Sequence, residues 1–479
     1  PARAQPVASR RARGPVCHNP VIMRAIRRVL AAAVLLLATG VPFAHANTTV
    51  RPPRFQYELH TLPNGLTVIL CEDRSTPIVH AQIWYHVGSK DEPAGRSGFA
   101  HLFEHMMFKG SKNLGLEEHT SLVASVGGRS NAYTTEDTTV FWNTVPSHYL
   151  PMMLWMEADR MATLRVDEER FKSEREVVKE ERRMRVDNQP YGRLQEHIYA
   201  QAFRVHPYRT PTIGSMGDLE AATIGDVRDF YETYYVPGNA TLGIIGDFDT
   251  ASGLDVVQKY FGPVPKAARP LARNIPREPP QTAERRGTLH EDWPPPAVVV
   301  AHHITYDGHP DSYPLHIAAK VLSDGQSSRI HRRLVYQDRL ALAAFGQSNL
   351  IEHPNLFYTV AIVQPGQTPE AAARALISEL DRIRNEPIAD RELQRAKNQF
   401  ARDYIIGRES IQQKAAHLAH AFVMHNGDVT TADGEFDIFQ GITKEDVQRV
   451  ARTYFTPESR LVLTILPRAD AAPATRQPE

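Results

Sequence analysis

Cysteine is scarce, with only Cys17 and Cys71 in 479 residues. That excludes a disulfide scaffold, so stability has to come from a large apolar core. Neither sign of charge is in excess: 55 Lys and Arg stand against 55 Asp and Glu. A balance of this kind carries no electrostatic footprint for nucleic acid, and none for an anionic membrane surface. Hydrophobic runs of membrane-spanning length are also missing. The most apolar run, Val29–Ala38, is too short to cross a bilayer comfortably. It follows a basic stretch, Met23–Arg28, and precedes Ala44-His-Ala46. This is the charged, apolar and small-x-small order of a secretory signal. We therefore expect a signal peptide over 23–46, residues 1–22 upstream of the true start at Met23, and a periplasmic or secreted product without stable membrane insertion. An uncleaved anchor is the alternative. Cys71 would then be the single cysteine of the mature chain.

What the chain does have is ordinary globular composition, 42% hydrophobic and 23% charged, and an internal duplication. Thr223–Pro237 followed by Ala240–Ile245 matches Thr443–Pro457 followed by Arg460–Ile465 at a constant offset of 220 residues. Asp226/Asp446, Val227/Val447, Thr233/Thr453, Tyr234/Tyr454 and Pro237/Pro457 coincide. Each copy reads as a Thr N-cap, an amphipathic helix, a Pro stop and an apolar strand. A proline-rich stretch lies between the copies. We expect one domain over 50–265, a linker over 266–285, a second domain over 286–468 and a tail over 469–479. Within the first half, 66–70, 79–85 and 138–145 read as strands, and 98–109, 148–163 and 167–187 read as helices. The predicted class is α+β: two homologous halves, each a largely antiparallel sheet covered by helices, closing as a clamshell.

The chemistry concentrates in Gly98-Phe-Ala-His101-Leu-Phe-Glu104-His105-Met-Met-Phe-Lys-Gly110. Residues four apart share a helix face, so His101 and His105 can present two imidazoles to one metal ion, with Glu104 flanking them. Imidazole suits zinc, and a catalytic zinc usually keeps three protein ligands and one open position. The order His-x-x-Glu-His is the inverse of the common zinc-peptidase motif. A third ligand is needed, and the charged helix Glu174-Arg-Glu-Val-Val-Lys-Glu-Glu181 offers one. Glu174 and Glu181 are seven apart and share a face, so either can bind metal while the other supports the site. A solvated charged helix is the plainer reading of that segment.

His101-x-x-Glu104-His105 followed by Glu181, 76 residues past His105, resembles the M16 metallopeptidases. Gly128-Arg-Ser-Asn131-Ala-Tyr-Thr134 with Asp137 and Thr138, His206-Pro-Tyr208, Ile213-Gly214 and Tyr234-Tyr-Val-Pro237 extend the resemblance over residues 55–468. It implies one zinc per chain on His101, His105 and Glu181, with Glu180 a rival for the third ligand. It also implies Glu104 as general base, Glu174 as auxiliary carboxylate, and Asn131, Ala132 and Tyr133 on an edge strand that pairs with a peptide or unfolded-protein substrate. The implied activity is that of a zinc endopeptidase.

The second half tests the motif internally. His316-Ile-Ala-Ala319-Lys320 stands where the first half has His101 to His105, and a Lys ammonium has no lone pair for zinc. That half keeps the fold without the metal. The family commonly supplies a substrate-clamping Arg and Tyr from a non-zinc domain. No Arg occurs between Arg339 and Arg374, although Tyr358 is present. A homodimer, or a heterodimer with another M16-like subunit, would provide the missing groups. Two other readings stand beside this one: a non-catalytic M16-like subunit acting in assembly or substrate presentation, and a metal hydrolase of non-peptide substrates.

Overall fold

The computed structural model describes residues 51–268, 270–271 and 273–468. The expected leader at 23–46, the segment before it and the tail at 469–479 lie outside the described residues. Two sheet-and-helix halves are present. The first sheet holds β1 (Glu58–Thr61), β2 (Thr67–Glu72), β3 (Ile78–Tyr85), β4 (Arg129–Thr134), β5 (Thr139–Pro146) and β6 (Ala240–Gly246), in the order β1-β2-β6-β3-β5-β4. All its pairings are antiparallel except β2 with β6. The second sheet holds β7 (Arg285–Glu291), β8 (Ala297–His303), β9 (Ala341–Ser348), β10 (Leu356–Val363) and β11 (Arg460–Pro467), in the order β7-β11-β8-β10-β9. Its one parallel pair, β7 with β11, matches β2 with β6. The duplication thus extends to strand order.

The helices of the first half are α1 (Phe99–Met106), α2 (Glu118–Ser125), α3 (Leu150–Thr163), α4 (Glu168–Arg182), α5 (Leu194–Ala202), α6 (Met216–Ala221), α7 (Ile224–Tyr234) and α8 (Thr250–Phe261). Those of the second are α9 (Ser312–Ser323), α10 (Pro369–Asn385), α11 (Asp390–Ile406), α12 (Ile411–Met424), α13 (Thr431–Gly441) and α14 (Lys444–Tyr454). The repeated Thr caps behave as the sequence predicts. Thr223 and Thr443 accept from the backbone N–H of Asp226 and Asp446, and each Asp side chain accepts from the Thr backbone in return.

Strand alternation sends alternate residues to two separate cores. From β2, Val68 and Leu70 enter the main core of the first half with Ile83, Leu242 and Ile244, beneath Phe103, Leu154 and Val257 of the helices. Ile69, Cys71 and Ile245 face the other way, where Ile411, Ala415 and Leu418 of α12 cover them. The second sheet is served reciprocally. Val299, Tyr358, Val360 and Leu463 lie under Leu194, Ile198 and Ala202 of α5. The helices α5 and α12 occupy corresponding places in the duplication, and each crosses to cover the other half's sheet. With both faces buried, the central strands read as continuous apolar runs.

A buried charge cluster joins the halves. Lys90, whose side chain is fully buried, lies 3.0 Å from Asp137, 3.8 Å from Asp91 and 2.7 Å from Glu352 of the second half. Burial alone would raise the Glu352 carboxyl, but the His86 hydrogen bond and the Lys90 charge hold it far below the usual carboxylate range. The Glu352 and His353 backbone N–H groups donate to Asp137 and to the Tyr208 hydroxyl, at 3.1 Å each.

Candidate active site

The helix α1 carries His101 and His105 one turn apart, with ring centroids 4.9 Å apart. Gly98 starts this helix in the left-handed region, φ 93°. A Cβ there would sit 2.8 Å from both the Gly214 Cα and the Ile213 carbonyl oxygen. The helix can therefore start in this place only with glycine. Gly98→Ala is expected to cost about 1–3 kcal/mol of stability through backbone strain, read as a lower denaturant midpoint.

The helix α4 lies against α1 and turns Glu174 and Glu181 inward. Glu181 Oε2 stands 3.2 Å from His105 Nε2 and 3.7 Å from His101 Nε2. Glu174 Oε2 faces His105 Nδ1 at 3.6 Å. Glu180 points to solvent and pairs with Arg183 at 2.9 Å, so of the two adjacent carboxylates only Glu181 faces the histidines. His101, His105 and Glu181 each offer a ligand atom, all within 4.8 Å of one another. Glu104 stands beside them, and its Oε2 accepts a 2.7 Å hydrogen bond from the Thr134 hydroxyl of β4.

Electrostatics in the site follow burial and contact. Burial, then the charge of His105, presses the His101 pKa down to about 4. Burial also opposes protonation of His105, but its contacts with Glu174 and Glu181 hold it up at about 9. The His105 contact keeps Glu181 below the usual range. Burial would raise Glu174, yet His105 and Lys109 keep it below as well. Burial raises Glu104, and the Thr134 bond opposes that. The donor set fits a divalent ion: two imidazoles and a carboxylate converge, and the proton on His105 stands among carboxylates where such an ion would displace it.

These residues line a cavity of about 530 Å³ together with Asn131, Ala132 and Tyr133. The strand β4 is the sheet's edge and pairs only with β5. Asn131 and Tyr133 are exposed, and Ala132 and Thr134 turn toward the core. The Ala132 N–H finds no strand partner on its open side and is taken by the Asn131 side chain at 2.9 Å. The Tyr133 ring stands edge-on to Trp84.

Three supporting residues escaped the sequence reading. Thr134 was visible only as part of a segment. Lys109 pairs with Glu174 at 3.1 Å, and Arg185 with Glu181 at 2.5 Å. Lys109 lies four after His105, and Arg185 four after Glu181, so helical spacing was the available signal. In the second half, Lys320 of α9 pairs with Asp403 of α11 at 2.8 Å and Asp324 at 3.1 Å, an ion pair in place of a metal set. Tyr358 is buried under α5 with its hydroxyl on Gln347, and it does not line the cavity.

Comparison with known proteins resolves the family. The model of insulinase, peptidase family M16, matches residues 67–215, and that of the peptidase M16 inactive domain matches 221–400. The zinc protease PqqE of Helicobacter pylori is 30% identical over 437 residues, covering 90% of this chain and 96% of that one. The chain belongs to peptidase family M16. M16 relatives include the β subunit of the mitochondrial-processing peptidase of Lentinula edodes, 23% identical over 83% of this chain and 87% of that one. Among solved M16 structures, a protease from Helicobacter pylori superposes with a TM-score of 0.82 at 30% identity, over 86% of this chain and all of that one. The periplasmic protease PqqL from Escherichia coli matches at TM-score 0.71 and 17% identity, over 89% of this chain and 49% of PqqL. Among the described residues of this M16 chain, no helix is long and apolar enough to cross a membrane.

Proposed function

We propose that the chain is a zinc-dependent endopeptidase acting on peptides or small unfolded proteins. The observation that carries this reading is the convergence of His101, His105 and Glu181 in one cavity beside the open edge of β4. Relatives named zinc proteases support it. His101, His105 and Glu181 would hold one zinc ion. Zinc there supplies Lewis acidity toward a carbonyl and a water of lowered pKa. Glu104 is fixed through Oε2 by Thr134, which leaves its other oxygen to take the proton of the attacking water and pass it to the leaving amine. Glu174 orients His105 through Nδ1. An extended substrate adds to β4, its carbonyl replacing the Asn131 side chain on the Ala132 N–H, with Tyr133 flanking the bound strand.

The chain works in the periplasm or after secretion, as the leader-like residues 23–46 suggest; the match to a periplasmic protease agrees with this. It pairs with a second M16 unit, either a copy of itself or a related subunit. PqqL, about twice as long, supports that arrangement, since this chain spans 49% of it. The test is cleavage of a quenched, unstructured peptide by the purified chain. Removal of metal with a chelator should abolish cleavage, and stoichiometric zinc should restore it. Zinc bound without cleavage, in the chain alone and in its dimer, would favour the non-catalytic subunit instead.

A further inference from the structure

A second group of metal-binding side chains lies in the other half, where the end of α12 meets the β8–α9 loop and α13. Asp307, His425 and Glu435 each offer a ligand atom, all within 4.8 Å of one another. His425 Nε2 stands 3.3 Å from Asp307 Oδ2, and His420 Nε2 stands 3.6 Å from the same oxygen. The four residues come from three separate segments, so local helical spacing does not explain their meeting.

Their orientation is fixed from outside. The Thr431 hydroxyl donates its one proton to the Asp428 carbonyl at 2.8 Å. It must therefore accept from His425 Nδ1–H, 2.7 Å away, which turns Nε2 inward. Asp307 Oδ1 is likewise held by the Gly308 N–H at 2.9 Å. Gly308, at φ 78°, lets the loop pass close to the His425 ring, since a Cβ there would lie 3.2 Å from it. The Glu435 carboxyl has no hydrogen-bond donor among the described residues. It stands near the second carboxylate, Asp307, with His425 and Arg408 as the charges that oppose it. The His425 side chain is only 7% exposed and that of Asp307 14%, but His420 is 46% exposed and leaves a way in for an ion.

We propose that Asp307, His425 and Glu435 form a second divalent-metal site, of zinc type, with His420 beside it, in the half whose own metal motif has been lost. An imidazole set between two carboxylates suits zinc better than calcium or magnesium, which take oxygen ligands. Three protein ligands leave a fourth position, which the exposed His420 borders. The ion would fasten α12 to the 304–311 loop and to α13. Its reach extends to the other half, because the His420 ring stands edge-on to Trp84 at 6.2 Å, and Trp84 edge-on to Tyr133 of β4 at 6.4 Å.

The test is zinc stoichiometry of the purified chain after equilibrium dialysis against zinc alone. Wild type should hold two ions, and the near-isosteric Glu435→Gln and His425→Gln variants one each. In a His105→Gln background, which disables the first site, one ion should remain, and added zinc should raise the unfolding temperature. The further change Glu435→Gln should abolish both effects. One ion in wild type, unchanged by Glu435→Gln and His425→Gln, overturns the proposal. So does a His105→Gln chain whose unfolding temperature ignores zinc. A first site that binds no zinc would instead appear as wild type losing its single ion with Glu435→Gln and with His425→Gln but not with His105→Gln, which separates failure of the peptidase reading from failure of this one.

Discussion

Glu104→Gln is expected to leave the zinc content unchanged and to lower peptide cleavage by about 10²- to 10⁴-fold, the range of a positioned general base. Glu104 is outside the set of converging ligand atoms, so its replacement removes no metal donor. Glutamine keeps the size of the side chain and can still accept from the Thr134 hydroxyl through its amide oxygen. The substitution removes the capacity to take a proton and little else. Turnover at saturating substrate, measured with zinc counted in the same sample, is the check. Activity within a few-fold of wild type would remove Glu104 from the mechanism. Glu181→Gln should behave differently, with zinc lost and activity falling in proportion, because Glu181 Oε2 faces both histidines.

Lys90→Met is expected to destabilise the chain by about 3–5 kcal/mol, the cost of stripping one partner from a buried ion cluster. Its ammonium is the centre on which Asp91, Asp137 and Glu352 converge. Without it, the basic partners left to the three carboxylates among the described residues are Arg273 at Asp91 and His86 and His353 at Glu352. The effect should appear as a lower urea midpoint. Adding Glu352→Gln should recover part of the loss, since the pair is coupled rather than additive. A loss under about 1 kcal/mol would mean that water enters and neutralises the cluster, and the cluster would not then hold the halves together.

Much of this was legible from residues alone. The helix presenting His101 and His105 was readable because i, i+4 spacing is a property of the helix itself. The capped helices after Thr223 and Thr443 were readable because capping is local. The choice between Glu180 and Glu181 needed α4 docked on α1, which fixes the helix's rotation. The cluster of Asp307, His425 and Glu435 left no trace in sequence, since its members are up to 128 positions apart and their meeting depends on how α12 crosses the first sheet. Lys90 was invisible for the same reason. A lone Lys before an Asp reads as surface, and only the approach of Glu352 from the other half makes it buried.

The exchange of α5 and α12 bears on the chain's origin. Each half, made alone, would bare the apolar sheet face that its counterpart's helix covers. A single-repeat ancestor of half this length would have been soluble only as a pair, each copy lending its helix to the other. Gene fusion would then have made permanent a trade that two separate molecules had already made. With both repeats in one chain, the second can do without the glutamate and second histidine of the motif as long as the first carries them.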